Sequence, residues 1–182
     1  MAFNFNGNVP TKIVYNGNNV DTLIYNGVVV WTSENYLFSN GTLGSGISVS
    51  GASVSGNIIY AGVGSGADDE GNTEADDLTV TISGLDLTNY SKLYISSTSE
   101  LYNNYGDAYC NVGIDSASTK FFTVASGTSN DGVEDTNTIV LDVSNYTGTH
   151  SLVFYLYAYS RSSYSGYHSV CRLGITEIKL YN

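Results

Sequence analysis

The sequence predicts an all-β protein: an antiparallel β-sandwich of the jelly-roll type, preceded by a small N-terminal β-hairpin repeat. Three observations lead to this fold class. The composition, with 20 glycines, 16 tyrosines and one proline in 182 residues, is typical of strands and turns. Short alternating segments recur at regular spacing, and an aromatic-Asn-Gly motif repeats near the N-terminus. The length suits one main hydrophobic core with a small appendage.

Candidate strands follow one another through residues 36–182, separated by turn-forming clusters. The alternation is clearest where Leu78, Val80 and Ile82 point to one face and the threonines between them point to the other. The number of such strands favours a jelly roll. The candidate strands are residues 47–49, 57–61, 78–82, 92–96, 108–114, 120–124, 138–143, 152–159 and 171–180.

The aromatic-Asn-Gly motif begins at Phe5, Tyr15 and Tyr25, which gives a repeat of ten residues. Asn-Gly suits both positive-φ positions of a type I′ turn, so each copy predicts a strand, a tight turn and a second strand. Isolated hairpins are marginal in water, and this segment has few apolar residues. We therefore divide the chain into residues 1–34, an attachment segment that needs a partner surface, and residues 35–182, the sandwich domain.

Two parts of the chain resemble known families. Residues 12–17 (KIVYNG) and 23–27 (LIYNG) resemble the N-terminal segments of tail and other virion proteins from phages of Gram-positive bacteria. This resemblance implies attachment to other virion proteins, and the alternative is a β-extension that packs on its own domain. Residues 141–148, 152–159 and 174–180 are similar to the C-terminal half of carbohydrate-binding jelly rolls, which implies a glycan ligand.

The net charge of −11 comes from 17 acidic and 6 basic residues. Such a charge repels phosphate backbones and anionic lipids, so we expect neither nucleic acid nor a membrane as a partner. No apolar segment reaches about 18 residues, and the N-terminus lacks the basic and apolar regions of a signal peptide. We therefore expect a soluble protein that is made in the host cytoplasm without a signal peptide and is located on the virion.

The sequence offers little for catalysis. His150 and His168 are the only histidines, and no nucleophile elbow, zinc-binding motif or phosphate-binding loop is found. We expect no enzymatic activity and no cofactor. The acidic clusters at residues 68–70 and 76–77 are interpreted as solvated turns, with a structural calcium ion as the alternative. A glycoside hydrolase would need converging carboxylates and is the least favoured function.

The two cysteines, Cys110 and Cys171, lack the spacing and the neighbouring histidines of a metal or redox site. Both fall on the apolar side of their candidate strands. We predict two buried free thiols, and a disulfide between them is the alternative.

The strand at residues 152–159 carries the clearest candidate binding surface. If Leu152, Phe154 and Leu156 line the core, the tyrosines that alternate with them form an outward row. Aromatic faces stack on sugars and phenolic hydroxyls form hydrogen bonds, so the row suits a glycan or a protein partner. The alternative is cross-strand tyrosine pairing that only stabilises the sheet. The candidate ligand-binding residues are Tyr109, Tyr155, Tyr157, Tyr159, Arg161, Tyr164 and Tyr167.

These features together predict a non-enzymatic virion accessory protein on a phage tail or head surface. Residues 1–34 dock it to other virion proteins in this interpretation, and the sandwich presents a binding surface to a host-surface glycan. A free-standing carbohydrate-binding module is the alternative function. Self-association into a homo-oligomer is compatible with the sequence.

Overall fold

The computed structural model describes residues 13–15, 18–20, 22–25, 28–32, 34–66, 74–103, 106–124, 134–160 and 168–181. Within these ranges the regular elements are β-strands, and neighbouring strands pair antiparallel. The described residues include no helix that is long and apolar enough to span a membrane. The strands, in chain order, are β1 Ile13–Tyr15, β2 Asn18–Val20, β3 Thr22–Tyr25, β4 Val28–Thr32, β5 Glu34–Ser39, β6 Thr42–Leu43, β7 Ser48–Ser50, β8 Ser53–Ser55, β9 Ile58–Gly66, β10 Glu74–Asp86, β11 Lys92–Asn103, β12 Gly106–Ile114, β13 Thr119–Val124, β14 Glu134–Asp142, β15 Thr149–Ser160 and β16 His168–Tyr181.

The N-terminal repeat forms hairpins, as its Asn-Gly motifs predict. Strand β1 pairs with β2 through Tyr15 and Asn18, and β3 pairs with β4 through Tyr25 and Val28. Each hairpin therefore has a two-residue connection, and in both cases that connection is Asn-Gly. The first copy of the motif, at Phe5, lies outside the described residues.

The remaining strands form two sheets. The front sheet has five strands in the order β13-β12-β15-β10-β7, and the back sheet has seven, with β14-β11-β16-β5-β6 in one path. In the back sheet β16 also pairs with β9, and β9 pairs with β8. Hydrogen-bonded neighbours are mostly distant in the chain, as in β12-β15-β10. The predicted all-β jelly-roll sandwich is thereby confirmed.

The core lies between the two sheets. The cysteines are both free and fully buried there, which is the predicted state of two buried thiols. Leu78, Ile114, Ile139 and Leu141 are partly buried and pack against this core. The apolar side chains with no exposed surface in the front sheet are Val80, Ile82, Leu85, Cys110, Val112, Leu152, Phe154, Leu156 and Ala158. Their counterparts in the back sheet are Phe38, Leu93, Ile95, Cys171, Ile175, Ile178 and Leu180.

The strands differ from the sequence prediction at several points, and two of them have a clear physical reason. The prediction placed Asp76 and Asp77 in a solvated turn, which is wrong: both lie in β10, paired with Ala158 and Tyr157 of β15. Aspartate is unfavourable in strands by propensity, but the long ladder between β10 and β15 fixes the backbone at this point. Strand β5 was not predicted at all, because its buried residues Leu37 and Phe38 are adjacent and do not alternate.

Candidate functional site

The outward tyrosines of β15 and of its neighbour β12 form a surface that we call the tyrosine grid, composed of Tyr109, Tyr155, Tyr157 and Tyr159. The alternation along β15 is complete, since its even-numbered residues from Leu152 to Ser160 are buried and the odd-numbered ones are partly exposed. Tyr109 of β12 lies directly opposite Tyr157. The structure therefore brings these four predicted site residues together on the outer face of the front sheet.

Three rings of the grid contact one another. The centroids of Tyr109 and Tyr157 are 5.0 Å apart with ring planes at 29°, and those of Tyr155 and Tyr157 are 6.4 Å apart at 21°. Tyr109 and Tyr155 are 6.3 Å apart at 47°. Such ring pairs contribute about 0.5–1.5 kcal/mol each. The rings therefore stabilise the sheet and also present one contiguous, partly exposed aromatic surface.

Two carboxylates flank the rings. Tyr157 has Asp77 of β10 as its partner on one side and Tyr109 of β12 on the other. Asp107 of β12 is the partner of Tyr159. The negative charge of Asp77 also acts on the phenol of Tyr155. Burial, and then the negative charge of Asp77, raises the pKa of the Tyr155 phenol, which keeps it neutral and able to donate.

Sequence reasoning did not include Asp77 or Asp107 among the site residues. The signal for Asp77 was present, since the alternation of Leu78, Val80 and Ile82 extends backwards and places Asp77 on the same face as Thr79. The acidic pair at 76–77 was instead interpreted as a turn. Because β10 pairs with β15, Asp77 lies beside Tyr157 of the tyrosine grid.

Hydroxyl and amide side chains complete the surface around the rings. Asn111 and Thr79 lie on either side of Tyr155, on β12 and β10. Thr123 of β13 lies opposite Tyr109, and its hydroxyl donates to the carbonyl of Ala108 at 3.3 Å. Aromatic surface next to carboxylate, amide and hydroxyl groups is the chemistry that binds a sugar, since a sugar has apolar ring faces and hydroxyls that both donate and accept.

Three of the predicted site residues, Arg161, Tyr164 and Tyr167, lie outside the described residues. They belong to the segment between the end of β15 at Ser160 and the start of β16 at His168. Their place in the site stays a prediction.

Another surface lies on the outer face of the back sheet. Tyr60, which is 41% exposed, Gly62, Gly64, Val170 and Arg172 border a groove of about 240 Å³. The guanidinium of Arg172 is held there by both carboxylate oxygens of Glu100, each at 2.6 Å from Nη1.

The back sheet also carries an aromatic cluster that consists of Tyr36, Tyr94 and Tyr181, and Lys179 Nζ lies 5.0–5.5 Å from their ring centroids. Among the described residues no such cation lies over the rings of the front-sheet grid.

The remaining polar features are structural. His150 Nδ1 lies 2.7 Å from Asp115 Oδ2, and its Nε2 lies 3.1 Å from the carbonyl of Thr147. Both ring nitrogens of His150 are thus engaged in joining two turns. No group of three histidine, cysteine or acidic side chains that could hold a metal ion occurs in the part of the chain that the structure describes. The acidic cluster at 68–70, where a calcium ion was considered, lies outside that part.

Comparison with known proteins gives structural matches only. No protein-family model matches the chain, and no curated protein sequence matches it significantly. A CBM4 carbohydrate-binding module aligns with 72% of this chain and 94% of its own length, at 12% identity and a TM-score of 0.33. A structure of infectious bursal disease virus, Gt strain, aligns with 96% of this chain but 42% of its own length, at 11% identity and a TM-score of 0.39. The GH26-CBM35 β-(1,4)-mannanase of Podospora anserina aligns with 80% of this chain and 28% of its own length, at 17% identity and a TM-score of 0.27.

The proteins with similar structures thus include a carbohydrate-binding module and a virus protein. The chain spans less than half the length of the viral and mannanase chains. All three TM-scores are below 0.5.

Proposed function

We propose that this chain is a non-enzymatic attachment protein that binds a glycan through the tyrosine grid, while residues 1–34 dock it to other proteins of a phage virion. The observation that carries the glycan-binding part is the grid itself: three contacting rings on an open sheet face, with Asp77, Asp107 and Asn111 beside them. Sugars stack their apolar faces on aromatic rings and exchange hydrogen bonds with such neighbours.

The placement of the carboxylates supports glycan binding. Asp77 and Asp107 lie on strands that are separated by β15, and they are offset by two residues along it. Strand spacing then puts their Cα atoms roughly 12 Å apart. The two carboxylates can therefore accept hydrogen bonds from hydroxyls at different positions of a glycan that lies along the rings.

Topology supports the division of labour between docking and binding. Strand β4 of the repeat ends at Thr32 and β5 begins at Glu34, so the repeat leads directly into the back sheet. The grid lies on the front sheet. The chain therefore enters the sandwich through the back sheet, which is consistent with separate surfaces for docking and binding. The KIVYNG and LIYNG motifs, which resemble those of phage virion proteins, support another virion protein as the docking partner.

The glycan-binding part is tested with a glycan array, followed by affinity measurement for the glycans that bind. We expect the Tyr155→Ala/Tyr157→Ala variant to lose at least tenfold in affinity, because it removes two aromatic stacking surfaces; the stacking of a nucleic-acid base on an aromatic side chain, taken as the guide, is worth about 1–3 kcal/mol. Tyr60→Ala is the matched control, since it removes an exposed tyrosine from the outer face of the back sheet. Circular dichroism checks that both variants are folded. Equal affinities for the wild type and the grid variant would refute glycan binding by the grid.

The docking part is tested by deleting residues 1–33, which leaves β5 whole from Glu34 onwards. Gold-labelled antibody against the chain, viewed on particles by electron microscopy, should decorate virions that are produced with the full chain. It should not decorate virions that are produced with the truncated chain. Decoration by the truncated chain would contradict docking through the repeat.

The second candidate function is a free-standing carbohydrate-binding module. It is favoured by the fact that every described residue of the grid and its surroundings belongs to the sandwich, so glycan binding needs nothing from residues 1–34. A full-length chain that binds glycan as a monomer and never associates with particles would establish this second function.

A further inference from the structure

The charges around the grid are unevenly distributed. Asp77 and Asp107 stand on either side of the row formed by Tyr157 and Tyr159. Lys120 is the one cation among the outward positions that the structure describes on the front sheet, and it lies beside Asn111, beyond Tyr155. A ligand on Tyr157 and Tyr159 therefore meets two carboxylates, within a chain whose net charge is −11.

The negative charge also affects the pKa values of two tyrosines of the grid. Burial raises the pKa of the Tyr109 phenol, and the negative charges near it, among them those of Asp107 and Asp77, raise it further. The same two kinds of cause, burial first, raise the pKa of Tyr155. The phenols therefore stay neutral and can donate hydrogen bonds, while the two carboxylates accept them. This combination fits hydroxyl, amide or ammonium groups of a ligand, and it opposes anionic groups.

We propose that the tyrosine grid binds neutral or amino-bearing glycans in preference to glycans that carry carboxylate, sulfate or phosphate groups. The proposal rests on the proposed function, and it adds the class of ligand. Strand spacing puts the Cα atom of Tyr157 roughly 5 Å from that of Asp77 and roughly 8 Å from that of Asp107, which is comparable to the Debye length of about 8 Å at physiological ionic strength. Repulsion from two such groups at this range weakens binding by roughly tenfold.

The test uses pairs of oligosaccharides that share one neutral core and differ by a single added uronic or sialic acid residue. For a core that the wild-type protein binds, we expect the acidic member to bind roughly tenfold more weakly at low salt. The difference should shrink as salt is raised, because salt screens the repulsion.

Asp77→Asn provides the residue-level arm of the test. The asparagine keeps an oxygen that can accept from Tyr155 but removes the charge, so we expect it to reduce the preference for the neutral member. Asp142→Asn is the matched control, because it also removes one exposed carboxylate but does so at the end of β14 in the back sheet. It should leave the preference unchanged.

Each outcome separates the two proposals. Acidic members that bind as tightly as neutral ones would overturn charge selection while leaving glycan binding by the grid intact. A preference that Asp77→Asn and Asp142→Asn reduce equally would also overturn it, since the effect would then come from net charge alone. Failure of every neutral and every acidic oligosaccharide to bind would overturn the proposed function and this inference with it.

Discussion

Phe154 and Tyr155 are adjacent in β15 but point to opposite faces of the sheet, so replacing each with alanine should lower the stability by different amounts. Phe154 has no exposed surface and its ring lies 6.2 Å from that of Phe121 in the core. Phe154→Ala should lower the free energy of unfolding by about 3–5 kcal/mol, through lost burial and the cavity left behind. Tyr155 is partly exposed and contacts Tyr109 and Tyr157 at 6.3 and 6.4 Å. Because these ring pairs are at the long end of the favourable range, Tyr155→Ala should lower it by only about 1–2 kcal/mol.

Urea unfolding followed by far-ultraviolet circular dichroism distinguishes the two. With a slope of about 2 kcal/mol per molar urea, Phe154→Ala should lower the midpoint by about 2 M and Tyr155→Ala by less than about 1 M. The slopes should be the same as for the wild type. Equal losses of stability for the two variants would show that β15 is buried on both faces, and the tyrosine grid would then not be a binding surface.

Three further predictions concern other parts of the sandwich. Cys110 and Cys171 should resist a thiol reagent in the native protein and react after unfolding, because burial raises the pKa of Cys110 and raises that of Cys171 to about 12; rapid native labelling would contradict this. Lys179→Met should lower the free energy of unfolding by roughly 1–2 kcal/mol, since it removes a cation from among three tyrosine rings, and an unchanged urea midpoint would count against that cluster. The hydrogen bond between His150 and Asp115 raises the pKa of His150 and lowers that of Asp115. Its contribution should be greatest between the ordinary pKa values of 3.8 and 6.5, and it should be lost as the pH rises through the raised pKa of His150 or falls through the lowered pKa of Asp115. His150→Gln should remove this pH dependence in a series of thermal unfolding curves, and an unaltered dependence would refute the assignment.

The features that could be predicted from the sequence are those set by local period. Alternation along a strand has a period of two whatever the strand pairs with, so Leu152, Phe154 and Leu156 identified the core face of β15 and Tyr155 and Tyr157 its outer face. The Asn-Gly turns are equally local, and they gave the two hairpins that the structure describes.

The features that could not be predicted depend on strand pairing across long distances in the chain. The cluster around Lys179 joins β16 to Tyr36 of β5 and Tyr94 of β11, which are more than 80 residues away in sequence. Strand β5 itself has a register shift opposite Ile178 and Lys179, so its pattern of burial is irregular. Asp77 belongs to the site only because β10 pairs with β15, and no local pattern of charge indicates that neighbour.

The position of a bound glycan tests the central claim most directly. The tyrosine ring signals of the protein, labelled with carbon-13 and assigned by single Tyr→Phe variants, can be followed by nuclear magnetic resonance during titration with a glycan that the array identifies. We predict that the signals of Tyr109, Tyr155 and Tyr157 on the front sheet shift with saturation, whereas those of Tyr60 and Tyr94 on the back sheet do not. Shifts confined to Tyr60 and Tyr94 would place the glycan on the back sheet and contradict the account.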